Sequence, residues 1–316
     1  MIINLEENQK NARIPVRKTL KKLGTVKLST VESTPVVWED RLLRFEWVRC
    51  SQWGKAGGVT REVGCYHFVD MADESSIGEF ADDHSFGCCY AENGKMFVHG
   101  VRGPGGGNII DTFVSSDLKN WESSVAVELA EDVRIYNTSV CKGPDGYIMA
   151  IEIGGKNPMV GNPFTNIFAR SDDLINWTVL DTDTHCFLKE RYTACPCIRY
   201  FDGYYYIIYL EIAPFRQLFP YIVRTRDLVD FEPGIVNPIF FPDADDKKVI
   251  HPERFTEEEL DYIAHAVDCN NSDFDMCYYK GKTVITYSWG NQFGKEFLAL
   301  AEYDGTEEEF VKSFFE

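Results

Sequence analysis

The chain has 316 residues, 44% of them hydrophobic and 14% aromatic, enough to fill a core between stacked sheets within one all-β repeat domain. Its net charge of −18 excludes nucleic acid and anionic membranes as partners, since both demand a basic face. No apolar run is long enough to span a bilayer, and the opening MIINLEENQKNARIPVRK lacks the apolar core of a signal peptide, so a cytoplasmic protein is expected.

Residues 1–30 read as an N-terminal extension, charged but carrying Leu5, Ile14, Val16 and Leu20. From Thr25 to Val37 the chain looks extended and can supply an outer strand to the last sheet, tying the two ends together. A first sheet includes Arg41–Arg49 and Tyr66–Met71, interrupted by the glycine-rich stretch Ser51–Gly58. A second spans about His84–Ser123. Its Gly103–Gly107 loop lacks the Gly-Lys-Ser/Thr of a phosphate loop and reads as a rim. A third covers 137–180 and a fourth about 192–236. An insertion at 242–269 follows, where Thr256 and Glu259 form a capping box that starts a helix running through Ala266. The fifth runs from Asn271 to the C-terminus, with Tyr303-Asp-Gly305 at its last hairpin.

Two features recur along this path. The corner SSDLKNWE at 115–122 returns as RSDDLINWT at 170–178 and TRDLVDFEP at 225–233, so Trp121, Trp177 and Phe231 fill one role at spacings of 56 and 54 residues. Hairpin turns recur at Glu92-Asn93-Gly94, Pro144-Asp145-Gly146, Phe201-Asp202-Gly203 and Lys280-Gly281. A turn followed by an Asp-Leu-x-x-Trp corner at such intervals predicts an all-β fold, a five-bladed β-propeller of four-stranded antiparallel blades over residues 31–316.

In a propeller the starts of first strands and the ends of second strands meet on one rim of the axis. Second strands end at Glu46, Glu152 and Glu211; first strands start at His84, Asn137, Glu190-Arg191-Tyr192 and Asn270–Asp275. Carboxylates embedded in apolar strands must be paired or bound, because an unpartnered buried charge costs several kcal/mol. Strand parity puts Asp273 and Asp275 on one face, and it predicts that Glu46, Glu152, Glu211 and Asp273 share one axial depression. Glu211 ends the most apolar strand, where desolvation favours a neutral proton donor; pairing with Arg191 would instead hold it charged. The ten cysteines form no double C-x-x-C pattern, so they read as free thiols and no metal is expected.

The S-x-D-L-x-x-W corner resembles the strand ending repeated in the five-bladed propeller glycosidases, glycoside hydrolase families 43, 32, 62, 68, 117 and 130. That resemblance implies an axial sugar pocket and an acid/base pair of carboxylates, without a cofactor. Family 43 enzymes begin inner strands with Asp in the first and third blades and Glu in the fourth. Aligned on the hairpin turns, this chain has Asn137 in the third and Ala194 in the fourth. The signatures of the family 32 type are also missing. The leading expectation is a glycoside hydrolase of a divergent family, with Glu211 as acid, Glu152 as assisting carboxylate and Asp273 as base or nucleophile. Tyr192, Trp289 and Trp53 are candidate sugar-stacking walls, while Arg191 and Asn271 are candidates to hold hydroxyls. The alternatives are a phosphorylase, using Arg49, Arg102, Arg191 and His84 as a phosphate pocket, and a non-catalytic carbohydrate-binding propeller.

Overall fold

The computed structural model describes residues 20–49, 63–214, 217–291 and 296–316. Five antiparallel blades, each ordered from the axis outward, surround a central axis. Blade I holds Ser33–Trp38, Arg41–Val48, Cys65–Asp70 and Ser75–Phe80; blade II holds His84–Glu92, Lys95–Arg102, Ile109–Ser115 and Glu122–Glu128. Blade III holds Val133–Gly143, Gly146–Gly155, Thr165–Ser171 and Trp177–Val179, and blade IV holds Ala194–Phe201, Tyr204–Ala213, Gln217–Thr225 and Phe231–Pro233. Blade V begins with Asn270–Tyr279, Lys282–Gly290 and Glu296–Tyr303, and its outer strand is Leu20–Leu28 from the other end of the chain.

That last pairing closes the ring. Leu20 stands opposite Tyr303 and Leu28 opposite Phe297. The extended stretch read as Thr25–Val37 is thus two elements: the end of blade V's outer strand, then the inner strand of blade I. The hairpin joining Ser33–Trp38 to Arg41–Val48 turns on Glu39 and Asp40, both at positive φ (47° and 60°). Such a turn normally calls for Asn or Gly, so blade I's first strand carries no cue of its own in the sequence.

The recurring corners are built alike. Ser115, Ser171 and Thr225 each accept the N–H of the following leucine (Leu118, Leu174, Leu228) at 2.9 Å. Those leucines sit at φ 60°, 65° and 61°. Asp117, Asp173 and Asp227 each accept two further N–H groups, which holds the strained turn. The aromatic residue ending each corner packs back on the preceding blade. Trp121 stacks on Phe80 of blade I at 3.9 Å, Trp177 meets His99 of blade II edge-on at 5.2 Å, and Phe231 meets Phe187 beside blade III at 4.7 Å. The repeat therefore marks the bolts between blades.

In the insertion, helix α1 (Glu257–His265) begins at Thr256 with both bonds of the capping box, and its Ile263 is buried against blade V. A second helix, α2 (Glu307–Lys312), follows Tyr303-Asp-Gly305, where the sequence suggested a hairpin. Thr306 and Glu309 cap it with the same box. The nine cysteines among the described residues are free.

Candidate active site

The inner strands of blades II to V share one irregularity near their starts. Pairing with the second strand skips two residues between Ser85 and Cys88, Ile135 and Thr138, Ala194 and Cys197, and Ser272 and Asp275. Within these bulges Phe86, Cys195 and Asp273 have positive φ (54°, 49°, 50°). A bulge of this kind re-aims side chains. Here Gly87, Asn137, Cys195 and Asp273 line one depression at the axis, joined by Glu32 just ahead of blade I's inner strand. The cavity there is about 30 Å³.

Three acids converge at this end of the axis. Glu152 lies opposite the blade III bulge, and its Oε2 accepts the Cys195 N–H at 2.8 Å and Asn137 Nδ2 at 2.9 Å. Burial pushes its carboxyl up to about 7, against the pull of those two donors and with help from the charge of Asp273. Glu32 is pushed up to about 8 by burial, opposed by Arg49 and aided by Asp273. Arg49 Nη2 stands 3.6 Å from Glu32, but its shorter bond, 2.7 Å, goes to Glu296. Asp273 accepts the hydroxyls of Ser272 and Ser288 on Oδ2 at 2.7 and 2.6 Å. The Cys195 thiol touches this carboxylate; burial and the surrounding acids raise it well above the usual thiol range. The Tyr192 phenol, packed edge-on against Phe164 at 5.4 Å, is raised first by burial and then by the charges of Cys195, Glu152 and Asp273.

The shared depression expected for four acids holds Asp273, with Glu152 directly behind Asn137 and Cys195; the other two acids stand elsewhere. Glu46 is buried between blades I and V, bonded to Arg44 at 2.6 Å, to His67 at 2.9 Å and to Lys27. Burial opposes its ionisation, but Lys27 and Arg44 outweigh it and hold the carboxyl well below the usual range. Glu211 forms an ion pair with Arg191 and accepts the Tyr209 hydroxyl at 3.2 Å. A carboxylate committed to a guanidinium is a poor proton donor, so the assignment of Glu211 as acid is corrected here.

Other candidates part company in the same way. Asn271 is fully buried, accepting Lys22 Nζ at 3.0 Å in a cluster around Asp246 rather than facing the axis. Trp289 is also fully buried, stacked on Phe297 and donating to Thr25 at 2.8 Å, so it is core and not a sugar wall. His84 bonds Asp111 at 2.9 Å, and Arg102 clasps the same carboxylate at 2.6 Å. Asp275 lines the depression but turns to Arg199 at 2.6 Å, because the bulge breaks its parity with Asp273. Asn137 lies where expected, and Trp53 falls outside the described residues. Sequence reasoning missed Glu32 and Cys195. The only hint of Glu32 is its place directly before a strand start; Cys195 sits in a strand that reads as plain core.

No family model and no curated protein sequence matches the chain. Solved structures do match. A glycoside hydrolase superposes with a TM-score of 0.64 at 13% identity, covering 96% of this chain and 97% of its own. A protein solved as an RGII complex gives 0.62 at 14% identity, covering 96% and 97%. An α-L-arabinofuranosidase from Podospora anserina, in complex with cellotriose, gives 0.57 at 8% identity, covering 93% and 99%. This chain thus has the five-bladed β-propeller fold of glycoside hydrolases.

Proposed function

We propose that the protein is a glycoside hydrolase whose proton donor is Glu152, with Asp273 as the base or nucleophile. One observation carries this reading. Asp273 lines the axial depression and has two hydroxyl donors on a single oxygen, while Glu152 stands directly behind the lining residues Asn137 and Cys195, where burial pushes its carboxyl up to about 7. Glycosidic cleavage needs a neutral acid for the leaving oxygen and a second carboxyl group across the bond. The Cys195 N–H and the Asn137 side chain both donate to Oε2 of Glu152, and no cation is among the causes that set its carboxyl. Glu32 helps keep a second proton at the site. The fold shared with glycoside hydrolases, together with a similar structure that holds cellotriose, supports a carbohydrate substrate.

Phosphorolysis fits less well. Every cation named for a phosphate pocket already meets a carboxylate: Arg49 with Glu296, Arg102 and His84 with Asp111, and Arg191 with Glu211. A purely binding role fits less well too, since it gives no reason for Glu152 to lack a countercharge.

The test is Glu152→Gln on two glycosides, one with a poor and one with an activated phenolate leaving group. The first should lose far more rate, because an activated phenolate departs without a proton. Equal losses would move the acid role. Glu211→Gln and Glu32→Gln, assayed alongside, identify where it goes. No hydrolysis of any glycoside by the unaltered protein would end the reading.

A further inference from the structure

A second and larger cavity occupies the opposite end of the axis. It measures about 420 Å³, within the roughly 300–1,000 Å³ typical of small-molecule sites. Thr34 and Asp275 line both it and the acid depression, so they form the layer between the two. Its walls are the far ends of the inner strands, which bring Tyr90 from blade II, Tyr200 and Phe201 from blade IV and Tyr278 from blade V to one opening.

The charges around this cavity are already matched. Arg199 gives Nε to Glu307 at 2.7 Å, Nη2 to Asp275 at 2.6 Å and Nη1 to the Ile198 carbonyl at 2.8 Å. Lys142 is bonded to Glu92 at 2.6 Å. Two carboxylates against one guanidinium leave nothing to hold an anion. What remains is aromatic surface, the Tyr90 and Tyr200 hydroxyls, which no protein group among the described residues takes up, and carboxylate oxygens able to accept. An uncharged ring with one apolar face and several hydroxyls matches that mixture: its C–H face lies on aromatics and its hydroxyls donate to the acids.

We propose that this second cavity binds a neutral mono- or disaccharide, at a site separate from the acid cluster. The site stands whether or not the acids hydrolyse anything, because it shares none of Glu32, Glu152 or Asp273.

Cys277 supplies the test. It lines the cavity, is partly buried, and is pushed up by burial and Glu307, so it reacts slowly and at alkaline pH. The full chain is treated with methyl methanethiosulfonate while xylobiose, cellobiose or glucuronate is titrated, and Cys277 modification is followed by mass spectrometry. A neutral sugar at several times its dissociation constant should slow modification about fivefold, and glucuronate should not. Asp273→Asn should keep this protection. Ala91→Trp, which fills the opening, should abolish the sugar-dependent part, as should Tyr200→Ala. Absence of protection by either neutral sugar, equal protection by glucuronate, or loss of protection in Asp273→Asn would each overturn the proposal.

Discussion

Glu46 and Glu152 hold corresponding places on the second strands of blades I and III, both buried, and their surroundings treat them in opposite ways. Glu46 meets Lys27 from the closing strand of blade V, together with Arg44 and His67, and stays ionised far into acid. Among the described residues Glu152 meets N–H donors from Asn137 and the blade IV bulge and no cation, and its carboxyl rises to about 7. Burial alone pushes both upward. What separates them is the neighbouring blade: one delivers an ammonium, the other a backbone bulge. A clasp and a candidate acid therefore arise from the same strand position.

The largest expected effect separates the two by activity. Glu152→Gln should lower kcat/KM on a substrate with a poor leaving group by about 10²–10⁴-fold, whereas Glu46→Gln should leave the folded protein's kcat/KM nearly unchanged. Comparable losses in both would erase the distinction. The next effect reverses the order. Glu46→Gln leaves Lys27 and Arg44 short of a countercharge and should cost about 3–5 kcal/mol in denaturant unfolding. A cost under about 1 kcal/mol would show that the clasp is solvated.

Acid and base should act on the pair with opposite sign. The folded protein holds Glu152's proton more tightly than the unfolded chain does, so its contribution is fully present below the usual value of 4.5 and is lost as pH rises toward about 7. Glu46 lies below its ordinary value, so its contribution is present above 4.5 and is lost as pH falls. Unfolding free energies measured across pH should therefore decline less between 4.5 and 7 in Glu152→Gln, where Glu32 still contributes, and less on the acid side in Glu46→Gln. Unchanged profiles would contradict both assignments.

The smallest effect concerns how the two blades are fastened. Blade I is tied to blade V by the Lys27–Glu46 ion pair, blade III to blade II by Trp177. Trp177 is half-buried and donates to Leu174 at 3.2 Å, so Trp177→Ala should cost about 2–3 kcal/mol. Its effect should be insensitive to salt and pH, unlike that of Glu46→Gln.

The fold was legible because its repeats are local. The Asp-Leu-x-x-Trp corners and Asn-Gly or Asp-Gly turns are set by hydrogen bonds within a few residues, and strand alternation fills the intervals. Blade I escaped the pattern at Glu39-Asp40, where ordinary residues hold positive φ. The site was legible only in part, since it depends on what faces across blades. Counting faces by twos placed Asp273 and Asp275 together, and both line the axial depression with Glu152 behind it, but the count fails across a two-residue bulge, which is why Asp275 turned to Arg199. Glu211 pairs at the rim because Leu210, not Glu211, stands opposite Ala194. Trp289 and Asn271 were read by residue type alone; packing against Phe297 and the Lys22–Asp246 cluster claims them.

The central claim is that Glu152 holds a proton near neutrality while Glu46 does not. Carbon-13 NMR of glutamate side-chain carboxyls, with Glu152→Gln and Glu46→Gln used to assign the two signals, reads it directly. The Glu152 signal should titrate with a midpoint near 7, and the Glu46 signal should remain that of a carboxylate down to the onset of acid unfolding. A Glu152 midpoint at the ordinary 4.5, or the two carboxyls titrating together, would contradict the account.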